Sequence, residues 1–204
     1  MKLFWSSRSP FVRKVMVTAH ELGLAGRIRT ERVVVSAAAP NAEVMAVNPL
    51  NKIPTLVLDD GSALYDSRVI CEYLDTLHDG PKLFPAEAGA RFTALRRQAL
   101  GDGLMEVIVL QLGEQGRPPA SQSEKHLAAY RLKISTGLDR LESEAGGLAG
   151  APAIGHIAIA CALGHLDFRF AADNWRSGRS KLAQWYDEFA TRPSMQATQY
   201  VDAY

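Results

Sequence analysis

The sequence predicts an α/β unit followed by an all-helical unit. Strand-like and helix-like patterns alternate over about the first 78 residues. A linker from His78 to Glu87 follows, broken by Gly80, Pro81 and Pro85. Beyond it the strand signals stop and helical periods continue to the end. A mixed stretch followed by helices alone is the pattern of two separately built parts. The expected domains are residues 1–79 and 86–204, and the expected order in the first is β-α-β-α-β-β-α.

Lys2–Trp5 reads as a short apolar strand. Phe11, Val12, Val15, Met16, Ala19 and Leu22 follow helical spacing and stop at Gly23, a good C-terminal breaker. Pro10 fits the first helical position, where its missing N–H costs nothing, so Ser9 is the expected N-cap of a helix over 10–22. Ile28 to Val35 is rich in β-branched residues and reads as a second strand. Ala42–Val47 reads as a short helix, ended by Asn48-Pro49 because the residue before proline avoids the helical region. Thr55–Leu58 is a strand, Asp60-Gly61 a turn, and Ala63-Leu64 the start of a return strand. Asp66 looks like an N-cap, behind which Val69, Ile70, Tyr73, Leu74 and Leu77 form one apolar helical face.

Past the linker, Phe92, Leu95, Ala99, Met105, Ile108 and Leu112 mark a long helix, and Leu127, Ile134, Leu138 and Leu141 a second. Ile154 to Phe170 is almost wholly apolar, as a central buried helix should be. Leu182, Trp185, Tyr186 and Phe189 mark another helix, stopped by Arg192-Pro193.

With 204 residues, 47% hydrophobic and 22% charged, the chain has the profile of a soluble globular protein. A formal net charge of +1 gives no bulk attraction to nucleic acid or to an anionic membrane. The small basic groups Arg8/Arg13/Lys14 and Arg176/Arg179/Lys181 read as solvated faces. Cys71 and Cys161 lie in apolar helical stretches and read as buried thiols. Their number and spacing fit neither a disulfide framework nor a zinc site, and the five histidines form no HxxxH pair, so no metal is expected. No run reaches the ~20 apolar residues of a membrane span, and MKLFW is too short for a signal peptide, so the expected location is the cytoplasm.

Three stretches carry chemistry. Ser6, Ser7 and Ser9 follow the first strand. Asn48-Pro49-Leu50-Asn51-Lys52-Ile53-Pro54-Thr55-Leu56 precedes and enters the third strand. Asp66-Ser67 opens a helix eleven residues after Thr55. Together with the α/β-then-helical order they closely resemble the cytosolic glutathione transferases. The signatures of that family are a Ser, Tyr or Cys after the first strand, an NP-x-x-K-[VI]-P turn, and an acidic-Ser pair opening the third helix. Ser9-Pro10-Phe11 before a basic, apolar helix is most similar to the serine-type classes and some small bacterial members. The resemblance covers the whole chain and implies a thioredoxin-like N-terminal domain.

It also implies a use for each motif. The Ile53–Pro54 bond would be cis, aiming the N–H and C=O of Ile53 outward to pair with the cysteinyl backbone of glutathione like an added strand. Ser67 would meet the γ-glutamyl carboxylate at a helix N-terminus, and Asp66 the γ-glutamyl ammonium. Lys52 would attract the glycyl carboxylate, although it is a flexible point charge that also suits plain solvent.

Ser9 is the first candidate to hold the glutathione sulfur, with Ser6 or Ser7 as alternatives. A free thiol titrates near about 8.5. Lowering that by about two units takes about 2.7 kcal/mol of preference for the anion. One or two hydrogen bonds to it, at about 1.5–3 kcal/mol each, are enough. The serine would be a donor, and the cofactor's sulfur the nucleophile. A protein thiolate is missing at this position, which argues against a glutaredoxin-like reductase.

The activity implied is transfer of glutathione, as co-substrate, to a small and largely apolar electrophile. The alternatives are a non-catalytic glutathione-binding protein of the same fold and a glutathione-dependent isomerase. A homodimer through the flank of helix 91–115 and the N-terminal domain is implied as well. The family often sends a residue from the region of Asp102 across such an interface, but here a solvated or helix-pairing aspartate is expected. Phe11, Met105, Ile108 and Leu112 could line an apolar co-substrate pocket, though such spacing usually marks core. Where the family's central C-terminal helix opens on a Ser/Thr-x-x-Asp box, this chain reads Ala153-Ile154-Gly155-His156, losing a cap worth about 1 kcal/mol.

Overall fold

The computed structural model describes residues 1–36 and 38–202. They form two compact units: residues 1–86 with 193–202, and Glu87–Arg192. The C-terminal segment thus returns to the first unit, whereas the sequence pointed to a single boundary in the linker.

In the first unit β1 (Lys2–Trp5) leads to α1 (Pro10–Glu21), β2 (Arg29–Arg32), α2 (Ala42–Met45), β3 (Thr55–Val57), β4 (Ala63–Leu64) and α3 (Ser67–Thr76). The sheet order is β2-β1-β3-β4. β1 and β2 are parallel, as the connecting helix α1 requires, and β3 and β4 each run antiparallel to the preceding neighbour. Leu3 and Leu56 face each other in register and are fully buried. The next residues turn the other way: Phe4 packs with Val33 and Val44, and Val35, Val47, Ile53 and Val57 lie against them. α1 and α3 pack together.

β2 is shorter than the Ile28–Val35 run suggests. Only Arg29–Arg32 join the ladder. Val33 adds one more backbone bond, its N–H donating to the Trp5 carbonyl at 3.1 Å, and buries its side chain with Phe4, while Val34 beyond it is 64% exposed.

The second unit holds α4 (Ala88–Gln115), α5 (Glu124–Glu144), α6 (Ile154–Arg169) and α7 (Ser180–Ala190), and the chain closes with α8 (Pro193–Gln196) in the first unit. Every residue of α6 from Ile154 to Leu166 is buried, as an all-round apolar helix demands. α4 and α6 touch backbone to backbone: a Cβ on Gly101 would stand 2.6 Å from the carbonyl carbon of Ala158. Met105 and Ile108 are fully buried in this core, and Trp175 is buried too. Among the described residues no helix is long and apolar enough to cross a membrane.

The missing cap of α6 is partly compensated. The side chain of Ala153 offers nothing, but His156 reaches back and its Nδ1 accepts from the Ala153 N–H at 2.9 Å. That is the reciprocal half of a capping box, made with imidazole. Nδ1 accepts only while the ring is neutral, and burial holds the His156 pKa below its ordinary value, with Arg97 adding to the effect.

Of the basic groups read as solvated faces, Lys181 is exposed as expected, but four others are built into the structure. Lys14 is 0% exposed and Arg13 is buried. Arg176 binds Asp167 and Asp187, and Arg179 binds Asp139 and Ser135. Cys71 and Cys161 are buried and outside any disulfide.

Candidate functional site

The sheet topology brings the three motifs to one end of the first unit. β1 runs out at Trp5 into the serine loop. β3 runs the opposite way, so its entry, Ile53-Pro54-Thr55, lies at that same end, with Thr55 in register with Phe4. β4 reverses again, with Leu64 opposite Leu56, so Tyr65, Asp66 and Ser67 leave the sheet there too.

The turn before β3 is built around Asn48, which is 1% exposed. Its amide donates to the Lys52 carbonyl at 3.1 Å and to Thr55 Oγ1 at 2.9 Å, and its Oδ1 accepts from the Leu50 N–H at 3.1 Å. Thr55 Oγ1 in turn donates to the Lys52 carbonyl at 2.9 Å. Asn51 takes the left-handed conformation at φ 52°, which asparagine tolerates better than most side chains. It links this turn to the preceding loop, accepting from the Asn41 N–H at 2.9 Å and donating to the Ser36 carbonyl at 3.2 Å.

In the sequence Asn48 stands as a helix end and as the first residue of the turn motif; its role as the hub of that turn is visible only in the structure. A buried asparagine has four bonds to satisfy, and Asn48 makes three of its contacts within seven residues of chain. Position in the NP-x-x-K-[VI]-P motif was the available signal, and it marks the turn without showing the hub.

The Ile53–Pro54 bond is cis, as the resemblance implies, and so is the Tyr65–Asp66 bond, which nothing in the sequence announced. Among the described residues no hydrogen bond uses the N–H or C=O of Ile53. Lys52 has a fixed carbonyl and an exposed side chain. Among the described residues its ammonium makes no ion pair.

Asp66 is the N-cap of α3 and is exposed, its carboxylate accepting from the Arg68 N–H at 2.8 Å. Ser67 behind it is only 2% exposed, so little more than one edge of it can meet a ligand.

The three serines differ in what their protons do. Ser9 caps α1, its Oγ accepting from the Val12 N–H at 3.3 Å. Ser6 Oγ accepts from the Arg8 N–H at 3.3 Å. Ser7 Oγ donates to the Val201 carbonyl at 2.8 Å, which commits its proton. A hydroxyl has one proton and two lone pairs. Among the described residues the hydroxyl protons of Ser6 and Ser9 are uncommitted, and only Ser9 sits at the start of a long helix, where partial positive charge favours an anion. Ser6 and Ser7 also line a cavity of about 480 Å³, shared with Arg13, Arg32 and residues 197–199 and 201.

Of the two expectations for Asp102, solvated or helix-pairing, burial contradicts the first and leaves the second standing: it is 1% exposed inside the second unit.

A mixed four-stranded sheet flanked by helices, with a cis-proline entering β3 and an acidic cap on α3, followed in sequence by a helical unit, defines a thioredoxin-like plus all-helical protein of the glutathione transferase type. Residues 8–77 match the family model for the glutathione S-transferase N-terminal domain, and residues 124–188 the one for its C-terminal domain. A crystal structure of a glutathione transferase family member from Pseudomonas fluorescens Pf-5 with bound glutathione is similar at a TM-score of 0.96 and 44% identity, covering 98% of each chain. A glutathione S-transferase from Methylobacillus flagellatus KT with glutathione bound is similar at 0.88 and 35% identity, covering 98% of this chain and 99% of that one. The uncharacterized GST-like protein YibF of Escherichia coli K12 is 35% identical over 202 residues, 98% of each chain. The chain belongs to the glutathione S-transferase family.

Proposed function

We propose that the protein binds glutathione on its first unit, holds it there as the thiolate, and transfers it to a small, largely apolar electrophile. The observation that carries this reading is the convergence of an uncommitted Ser9 hydroxyl, the unpaired backbone edge of Ile53 and the Asp66 cap at one end of the sheet. Relatives solved with glutathione bound support it.

In this reading the tripeptide extends the sheet at Ile53, in the manner of strand addition. Asp66 takes the γ-glutamyl ammonium, the start of α3 at Ser67 takes the γ-glutamyl carboxylate, and Lys52 the glycyl carboxylate. Ser9 donates to the sulfur while its lone pair keeps capping α1. Proximity of the two substrates and stabilisation of the anion are the two sources of rate. The working form is a homodimer in the cytoplasm.

Calorimetry with glutathione tests the binding half. Saturable heat is expected for the wild type, and for Asp66→Ala an affinity lower by about tenfold, the loss of one charge-assisted hydrogen bond. Equal affinity in the two proteins would remove Asp66 from the site. Turnover of an aryl halide separates a transferase from a binding protein, and net consumption of glutathione separates a transferase from an isomerase.

A further inference from the structure

The C-terminal segment returns along α1 from its end to its beginning. At the root, Ser194 Oγ donates to the carboxylate of Glu21 in the last turn of α1. Midway, Arg13 donates from Nη2 to the Met195 carbonyl at 3.2 Å and lays its guanidinium 4.4 Å from the centre of the Tyr200 ring. At the tip the strap grips the serine loop itself. Ser7 Oγ donates to the Val201 carbonyl at 2.8 Å, and the Val201 N–H donates back to the Ser7 carbonyl at 3.4 Å. Arg8 Nε meets Asp202 Oδ1 at 2.6 Å.

The residues so gripped, Ser7 and Arg8, stand directly before Ser9. Beneath the strap lies the cavity of about 480 Å³, lined by Ser6, Ser7, Arg13, Thr198 and Val201 among others. The tip therefore bridges space and does not lie on closely packed core. Val201 and Asp202 are exposed, so their contacts bear on where the loop stands and add little to the apolar core.

We infer that residues 193–202 are a positioning strap for the thiol-holding loop, with Asp202 acting through Arg8 and Val201 through Ser7 to fix the direction of the Ser9 hydroxyl. This rests on the reading of Ser9 given above. Asp202 and Val201 are positioning residues that touch neither sulfur nor electrophile. Small misplacements matter in such a role, since a shift of about 1 Å can cost about 100-fold in rate.

Three variants test it: a chain ending at Thr198, Asp202→Asn, and Asp202→Glu. Conjugation of an aryl halide is measured across pH, with hydrogen exchange at the amides of residues 6–9. The shortened chain is expected to lose about tenfold in kcat with the glutathione KM within about twofold, because loop geometry and not binding is affected. Its pH profile moves to higher pH, as a less well-held thiolate requires. Asp202→Asn shifts the same way by a smaller factor, and Asp202→Glu restores the wild-type profile. A wild-type kcat and pH profile in both the shortened chain and Asp202→Asn would overturn the proposal.

If the shortened chain does not fold, the two point variants decide. If the wild type itself conjugates nothing, the transferase reading falls separately, and the strap is judged by exchange. Faster exchange at residues 6–9 in the variants supports it, and unchanged exchange overturns it.

Discussion

Two helix starts, those of α1 and α6, solve one problem in opposite ways. Each must satisfy backbone N–H groups that have no partner within the helix. At α1 a short hydroxyl side chain, Ser9, does so in a half-exposed loop and retains a proton for other use. At α6 the cap position is Ala153, and the buried His156 accepts the Ala153 N–H from three residues on. The first start is open and chemically spare. The second is closed and packed against α4: His156 Nδ1 is engaged, and its Nε2 is buried without a hydrogen-bond partner among the described residues. Function sits where the capping group's spare capacity is open to a ligand, and stability where it is sealed inside the protein.

The largest effect is expected where the closed start is tightest. A Cβ on Gly155 would lie 2.5 Å from the Arg97 Cβ and 2.7 Å from the Ala94 carbonyl oxygen. Gly155→Ala should therefore destabilise by about 1–3 kcal/mol in spite of alanine's better helix propensity, because backbone cannot give way cheaply. Urea unfolding measures this, and an unchanged midpoint would mean that the α4–α6 contact is looser than described.

A smaller stability effect is expected at the open start. Ser9→Ala should cost about 1 kcal/mol through the lost cap. Its kinetic effect is larger, about 10–100-fold in kcat, the worth of one hydrogen bond to an anion.

The smallest effect separates the two starts by pH. The folded state holds the His156 pKa below the ordinary 6.5, chiefly by burial. The unfolded chain then binds more protons between those two values, so this contribution is complete above about 6.5 and is lost as pH falls toward the folded value. His156→Gln keeps an acceptor without a titration, and should flatten this part of the stability profile. An identical acid dependence in the two proteins would show that His156 is not its source.

Most of the fold was legible because its signals are local. Pro10 after Ser9, Gly23 after α1, Asp60-Gly61 before β4 and the apolar run of α6 each act within a few residues. The end of β2 was not legible, because Val33 and Val35 are drawn into the core by Phe4 and Val44, residues distant in sequence. The burial of Lys14 and Asp102 was hidden for a similar reason, since composition gives charge but not surroundings. The motif residues of the candidate site stood out by their spacing. Asn48, which holds the turn before β3, carried no sign of that role in the sequence, and the strap beyond Pro193 carried no pattern of its own.

The central claim is that the Ser9 hydroxyl stabilises a bound thiolate, and titration of glutathione's thiol on the protein tests it most directly. Ultraviolet absorbance of the thiolate, followed across pH with saturating glutathione, gives the pKa of the bound sulfur. The account predicts a value well below the free thiol's, and in Ser9→Ala a return most of the way toward it with affinity little changed. The same thiol pKa in wild type and Ser9→Ala would contradict it.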